Sequence, residues 1–300
     1  MHFNMTQMDV CLLEIKLSSE CSPGPLTGST ITGQSGEIRL HSELGKGAFA
    51  SVYKGITQGS CCAVKVVTTE TEKDMERFQR EVDVLSRLME GSHKNVVQIL
   101  GYDYPINYGG LALLFFELVP NGTLYDHVQR SLKLHFSEAW MFYEQIICGL
   151  AYLHSLGIYH RDIKSDNLLM ETTLQVKITD FGLSYVDEGS CLDGLPLFDD
   201  HKGSAPYLPP EFHKEGSFRA DKGDLWAAAV TLAFMCTAYE PWKDTTEEDP
   251  YFLSFKQGMY DEYWESMGDG MPIVAELLHP EADRRLTSEW YLKCLEMYSG

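Results

Sequence analysis

Between His160 and Gly182 the sequence concentrates residues that do chemistry together. The run His160-Arg161-Asp162-Ile163-Lys164-Ser165-Asp166-Asn167 holds two carboxylates, a lysine and a carboxamide, and Asp180-Phe181-Gly182 follows at short range. Phosphoryl transfer from a nucleotide asks for such a set. It needs one acid at the attacking hydroxyl, oxygen ligands for a divalent metal, and a cation that shields the moving phosphoryl group. In that scheme Asp162 orients the acceptor hydroxyl and takes its proton. Lys164 neutralises the transferring oxygens, and Asn167 and Asp180 hold Mg²⁺ by oxygen ligation. A lone His-Arg-Asp or Asp-Phe-Gly arises often by chance. Both together, in this order, with the strand-like Val176-Lys177-Ile178-Thr179 leading into Asp180, leave chance little room.

Two upstream features fit the same chemistry. Gly45-Lys46-Gly47-Ala48-Phe49-Ala50-Ser51-Val52 lies between strand-like runs, where glycines let the backbone approach phosphates and offer them amide hydrogens. Taken alone, a turn with two glycines is more often just a turn. Lys65 in Ala63-Val64-Lys65 is flanked by apolar residues and is costly to bury without a counter-charge. Glu81, set among the apolar positions of the next helical stretch, is the preferred partner. Glu72 and Glu76 are rivals, but Val82, Leu85 and Leu88 set the flank of Glu81 against a core. Such a pair would hold Lys65 at the α- and β-phosphates.

The elements that must position these groups read as two halves. From Glu37 onward, β-type runs over residues 38–44, 51–55 and 62–67 predict an antiparallel meander. A helix follows over residues 72–89, with Met75, Phe78, Val82, Leu85 and Leu88 on one face. Two more strands are expected over residues 96–100 and 111–117. Beyond Pro120-Asn121-Gly122 the pattern turns helical, as in residues 137–156, and stays mostly so to the end. There are no internal repeats. Residues 1–36, rich in Ser, Thr, Gly and Pro, read as a flexible N-terminal extension with one short apolar piece near residues 11–15.

Composition narrows the class. A formal charge of −20 argues against direct nucleic-acid binding, because phosphate contacts need a basic face. That charge either steers basic protein substrates inward or simply keeps the chain soluble. No stretch approaches the ~20 apolar residues of a membrane span. Residues 1–6 lack the basic region and apolar core of a secretion signal. Eight cysteines are scattered, with Cys61-Cys62 the one adjacent pair and no metal-ligand spacing. They read as thiols in a reducing, intracellular compartment, cytoplasmic or nuclear.

Together these motifs resemble the eukaryotic protein kinases over residues 38–298, and Lys164 two places after Asp162 looks like the serine/threonine class. The resemblance implies an α+β, bilobal protein-kinase fold. A small antiparallel β-rich N-lobe (37–119) would precede a larger, mostly α-helical C-lobe (120–298), with no regulatory tail beyond. It implies ATP and Mg²⁺ as cofactors and protein substrates with Ser or Thr acceptors. A monomer is expected, with no nucleic-acid or membrane partner. Gly45, Lys46 and Gly47 would cover the phosphates, with Ala50 in place of the usual third glycine. Val52, Ala63 and Leu169 would sandwich adenine, Glu117-Leu118-Val119 would form the hinge, and Phe116 would set the pocket depth. Gly203-Ser204-Ala205-Pro206-Tyr207-Leu208-Pro209-Pro210-Glu211 resembles the end of the activation segment. Ser204 stands there at the hydroxyl position that bridges Asp162 and Lys164, and Pro209 replaces the usual alanine. Asp224 is similar to the buried acid that ties the catalytic loop to the following helix, and Arg285 looks like the partner of Glu211. Leu85, His160 and Phe181 are expected to stack.

Among kinases, the Gly203–Tyr207 run with Pro241-Trp242 and Asp180-Phe181-Gly182-Leu183-Ser184 is most like the DNA-damage checkpoint effector kinases of the calmodulin-kinase-like group. Asp166 retains one acid of the kind that reads an upstream arginine in substrates, whereas the hinge-proximal position is Thr123. The activation segment is acidic and has no threonine, so two readings stand. Either Asp199 or Asp200 pairs with Arg161 in place of a phosphate, or the acids are simply solvated. A pseudokinase that binds nucleotide or partners without catalysis is the rival function. Ala50 and Pro209 favour it; Lys65, Glu81, Asp162, Asn167 and Asp180 oppose it.

Overall fold

The computed structural model describes residues 26–33, 36–47, 50–57, 59–103, 110–187, 197–198, 203–215, 218–285 and 289–298. The chain divides into two compact units, residues 1–92 with 97–119 and residues 93–96 with 120–300. The chain passes from the first unit to the second after Val119, and residues 93–96 join the second unit.

The first unit is one antiparallel sheet and one helix. Its strands are β1 (Thr30–Gly33), β2 (Gly36–Lys46), β3 (Ala50–Thr57), β4 (Ser60–Thr69), β5 (Ile99–Asp103) and β6 (Gly110–Glu117), in the order β1-β2-β3-β4-β6-β5. Between β4 and β5 runs α1 (Glu72–Leu88). Alternation along the strands separates two faces. Ile31, Ile38, Leu40, Tyr53, Cys62, Val64, Val66, Leu113 and Phe115 form a buried cluster. Each of the large apolar side chains there stabilises by roughly 1.5–3 kcal/mol. Lys65 stands opposite both Val52 and Leu114, and Ala63 opposite Phe116, so these five residues share the other face. Helix α1 starts at a capping box in which Thr71 and Asp74 satisfy each other's amides. Its buried side is Phe78, Val82, Val84, Leu85 and Leu88, with Glu81 among them.

Two expectations need correction. Residues 30–33, read as part of a flexible extension, are an edge strand of the sheet: Ile31 pairs with Ile38 and is 1% exposed. A single Thr-Ile-Thr run between glycines is too short to show alternation, so its partner reveals it. The strand expected from residue 96 begins at Ile99; Val96 makes only an isolated bridge to Ile178 within the second unit. Both valines before it are buried, and burial without ladder pairing looks the same in sequence.

The second unit is mostly helical. After α2 (Leu124–Ser131) and α3 (Phe136–Ser155) come short strand pairs. They join β7 (Ile158–Tyr159) with β10 (Tyr185–Val186), β8 (Leu168–Thr172) with β9 (Gln175–Ile178), and β11 (Leu197–Phe198) with β12 (Phe218–Arg219). The remaining helices are α4 (Pro210–Glu215), α5 (Ala220–Thr237), α6 (Pro250–Lys256), α7 (Glu262–Glu265), α8 (Met271–Leu277) and α9 (Glu289–Tyr298). Helix α5 is buried along almost its whole length, as expected of a helix apolar all round. No helix among the described residues is long and apolar enough to cross a membrane.

Candidate active site

In the first unit, Lys65 donates to Glu81 Oε1 at 2.7 Å. Glu81 is 4% exposed and its partner 14%, so neither charge sits in the apolar setting uncompensated. Helix α1 is what brings the acid there: Glu81 lies three residues after Phe78 and four before Leu85, on the buried side. Glu72 lies in the exposed first turn and Glu76 is exposed, so the pairing separates the three candidates. Gly45 pairs across from Val52 and Lys46 from Ser51, and the Gly47 amide donates to Ala50 O at 2.8 Å. A Cβ at Gly45 would meet nothing within 4 Å. Among the described residues no atom demands that glycine, which suits a loop over which another molecule comes close. Ala48 and Phe49 lie outside the described residues. Glu117 spends its amide on Gln98 O (3.0 Å) and a carboxylate oxygen on the Gln98 amide (2.8 Å).

In the second unit the loop between β7 and β8 holds a connected set of polar side chains. Lys164 Nζ donates to Asp162 Oδ2 at 2.8 Å and to Ser204 Oγ at 2.8 Å. Ser204 Oγ in turn donates to Asp162 Oδ1 at 3.1 Å. Asn167 Nδ2 donates to the Asp162 carbonyl (2.8 Å) and to Oδ2 (2.9 Å). The amide group of Asn167 is thereby occupied, and its carboxamide oxygen is the atom left for a cation. Asp180, exposed and at φ 63°, and Arg161, at φ 69°, adopt left-handed backbone that costs non-glycine residues about 1 kcal/mol or more. The neighbouring Phe181 is 1% exposed and meets the His160 ring edge-on at 5.4 Å. Burying that ring pins the turn that presents Asp180. Leu169 is half-buried on β8, where Thr123 bridges it.

Asp224, on α5, braces the strained turn. Its Oδ1 accepts from the Arg161 amide (2.7 Å), and its Oδ2 accepts from the His160 amide (2.8 Å) and His154 Nε2 (2.9 Å). Burial alone would raise this carboxyl; the hydrogen bond and charge of His154, the charge of His160 and the Arg161 amide bring it below the usual carboxylate value. His154 was not anticipated, since a histidine near the end of α3 carries no sequence signal of its own.

The segment that delivers Ser204 is fixed from several sides. Gly203 has φ 113°, and a Cβ there would press to 3.0 Å from Arg161 O, so only glycine brings Ser204 to this place. Trp242 Nε1 donates to Pro206 O and Thr245 Oγ1 to Leu208 O, both at 2.9 Å. Leu208 is extended (φ −73°, ψ 137°), the conformation a residue before proline prefers, and so accommodates Pro209. Glu211 receives a two-pronged bond from Arg285 at 3.1 and 2.9 Å. That guanidinium also lies 4.5 Å from the centre of the Trp226 ring. The pairing of Arg161 with Asp199 or Asp200 falls outside the described residues.

The family model for the protein kinase domain matches residues 38–295. The chain belongs to this family. It is 30% identical over 260 residues to "CBL-interacting serine/threonine-protein kinase 5" of Arabidopsis thaliana, covering 84% of the chain and 56% of that protein. It is 28% identical over 275 residues to "Serine/threonine-protein kinase chk-1" of Caenorhabditis briggsae, covering 89% and 54%. With "Probable serine/threonine-protein kinase MARK-B" of Dictyostelium discoideum it shares 32% over 209 residues, 69% and 28%. The chain thus spans about half the length, or less, of these relatives. Family membership implies use of ATP with a divalent metal. The residues fit that expectation: a Lys65 paired with a buried Glu81, an Asn167 oxygen left over by its own hydrogen bonds, and an exposed Asp180. Among the described residues no group of three or more His, Cys, Asp or Glu is preassembled for a metal. A cation here would depend on these two side chains together with phosphate oxygens.

Proposed function

We propose that this protein is an ATP-dependent serine/threonine protein kinase that transfers the γ-phosphoryl group to hydroxyls of protein substrates. The observation that carries the reading is the triangle of Asp162, Lys164 and Ser204, each within 3.1 Å of the other two. When bound, ATP with Mg²⁺ supplies the phosphoryl group and part of the charge compensation. The chain's own groups do the rest. Lys65, steadied by Glu81, binds the α- and β-phosphates, beneath a cover of Gly45, Lys46 and Gly47. Val52, Ala63 and Leu169 flank the base, while Glu117 and Val119 meet its edge. Asn167 and Asp180 are the side chains assigned to the metal. Asp162 orients the incoming hydroxyl and accepts its proton. Oδ1 takes one hydrogen bond where Oδ2 takes two, so Oδ1 is the oxygen assigned to that proton. Lys164 places positive charge beside the transferring oxygens and positions Ser204. Arg161, Asp224, Glu211 and Arg285 have positioning rather than reacting roles.

The finer readings belong to the same proposal. Protein substrates, rather than small molecules, are favoured by the segment from Gly203 to Glu211, which is held as a docking surface beside Asp162. A role in checkpoint or stress signalling rests on short motifs and on the likeness to the chk-1 kinase. Monomeric behaviour and the absence of nucleic-acid partners rest on the charge of −20. The test is phosphate transfer from ATP to a positional-scanning library of Ser-, Thr- and Tyr-containing peptides, run with wild type and with Asp162→Ala. Transfer to Ser and Thr peptides that vanishes in the variant supports the proposal. Equal rates in the two proteins, or transfer to tyrosine alone, overturns it.

A further inference from the structure

The nucleophilic groups that the proposed chemistry leaves unused gather between α3 and α9. Along α9, Tyr291, Cys294 and Tyr298 stand at i, i+3 and i+7, one face of a helix. Each meets a partner. Tyr291 Oη lies 2.9 Å from His154 Nδ1, and the Tyr298 ring packs edge-on to Tyr152 at 5.6 Å. The Cys294 sulfur lies 2.8 Å from the Cys148 sulfur on α3. His93 completes the cluster, stacked on Tyr152 at 5.1 Å with its Nε2 2.9 Å from Tyr298 Oη. The other described thiols have different settings. Cys61 is exposed, Cys62 points its thiol at Gly55 O, and Cys236 is buried in α5.

We propose that Cys148 and Cys294 are a redox modification site, closed to a reversible disulfide by a hydroperoxide and thereby fastening α9 to α3. The two sulfurs are already in contact at 2.8 Å, so each thiol has the other within reach as its bonding partner. They are unequal, which assigns their order. Cys294 is 2% exposed and burial pushes its thiol up to about 12, so it stays protonated. Cys148 is half-buried and is the sulfur a small oxidant reaches first. In the first step the Cys148 thiolate attacks one peroxide oxygen. The O–O bond breaks, giving a sulfenic acid and hydroxide. In the second step the Cys294 sulfur attacks the sulfenic sulfur and the S–O bond breaks. The departing hydroxyl takes up the Cys294 proton as water. In sum, two thiols and one hydrogen peroxide give one disulfide and two waters, with two electrons passing from sulfur to oxygen. A cellular dithiol reverses the bond by exchange, as suits a transient disulfide in a reducing compartment.

The bridge would close a loop that contains both the catalytic loop and the segment carrying Ser204. Its main effect is on the unfolded chain, whose freedom it restricts.

The test uses the full chain, fully reduced and then exposed to hydrogen peroxide. After alkylation and digestion without reductant, mass spectrometry should find the peptides containing Cys148 and Cys294 joined, two hydrogens lighter than their sum. Dithiothreitol should separate them. The oxidised protein should melt higher than the reduced protein by roughly 5–10 °C. Cys148→Ser should show neither the joined peptides nor the shift, while melting like reduced wild type. Sulfinic acid at Cys148, a joined peptide containing Cys61 in place of Cys294, or an unmoved melting temperature would overturn the proposal. Peptide mapping of wild type decides it even if the variant folds poorly. No readout depends on phosphate transfer, so this inference and the kinase reading fail separately.

Discussion

Ser204 Oγ donates to Asp162 Oδ1 at 3.1 Å while accepting from Lys164 Nζ at 2.8 Å. One hydroxyl thus ties the end of the activation segment to both the proposed base and its cation. The structure joins them with an unmodified serine. Replacing it by alanine removes both bonds and leaves Lys164 to swing on Asp162 alone. We expect Ser204→Ala to lower kcat about 10-fold or more, and Ser204→Thr, which keeps the hydroxyl, to stay near wild type. Asp162→Asn keeps the shape but removes the base and should cost about 10²–10⁴-fold in kcat, with an unchanged melting temperature. Steady-state kinetics on a Ser-containing peptide checks all three.

The Lys65–Glu81 contact makes a different prediction. Glu81→Gln retains size and hydrogen-bonding capacity but removes the buried carboxylate charge that faces the Lys65 ammonium at 2.7 Å. The lysine then wanders from the phosphates rather than leaving the fold. The KM for ATP should rise about 10-fold while KM for the peptide stays within about twofold. Lys65→Met should abolish nucleotide binding in a direct titration with a fluorescent ATP analogue. An unaltered affinity for the analogue would remove Lys65 from the nucleotide site.

Asp224 has no reacting partner, so its loss should register in stability first. Without its carboxylate, the amides of His160 and Arg161 and the Nε2 of His154 are buried donors with nothing to donate to. Each such group costs about 1–3 kcal/mol. Asp224→Ala is expected to lose about 3–5 kcal/mol in urea unfolding. Arg161, no longer held at φ 69°, should relax and take activity with it. Asp224→Asn, which keeps the acceptor oxygen, should lie between.

The sequence singled out Asp162, Lys164, Asn167 and Asp180 because one reaction constrains their types and order. The structure joins the first three by hydrogen bonds, and Glu81 could be chosen as the partner of Lys65 over Glu72 and Glu76 by its apolar neighbours alone. What escaped notice depends on distant partners. His154 acquires a role only because α5 brings Asp224 to it, 70 positions away. Cys148 and Cys294 are 146 positions apart, and neither lies in a spacing that suggests a pair. The strand Thr30–Gly33 shows its character only once Ile38 is opposite Ile31. Helix and strand patterns are local and readable from periodicity; a cap, a clamp or a thiol pair is a property of two segments, and a sequence shows them one at a time.

A half-buried histidine and a buried aspartate give the stability a pH dependence of opposite signs. Burial, aided by the charge of Lys94, lowers His93 from 6.5 to about 4. Between those values the unfolded chain binds a proton that the native state refuses. This contribution is therefore full above pH 6.5 and is lost as pH falls toward 4. Burial raises Asp103 from 3.8 to about 6, and its Oδ2 has no hydrogen-bond partner among the described residues. Here the native state binds the proton, so stability present below pH 3.8 is lost as pH rises through 6. Asp103→Asn should accordingly stabilise the protein at pH 7, by about 1 kcal/mol after allowance for solvent screening, and have little effect at pH 4. His93→Gln should flatten the loss between pH 6.5 and 4 and leave the value at pH 7.5 lower, because the stacking on Tyr152 goes with the ring. Urea unfolding at pH 4, 5, 6 and 7.5 for the three proteins separates these contributions. A wild-type profile that Asp103→Asn leaves parallel across the whole range would show that the carboxylate is solvated.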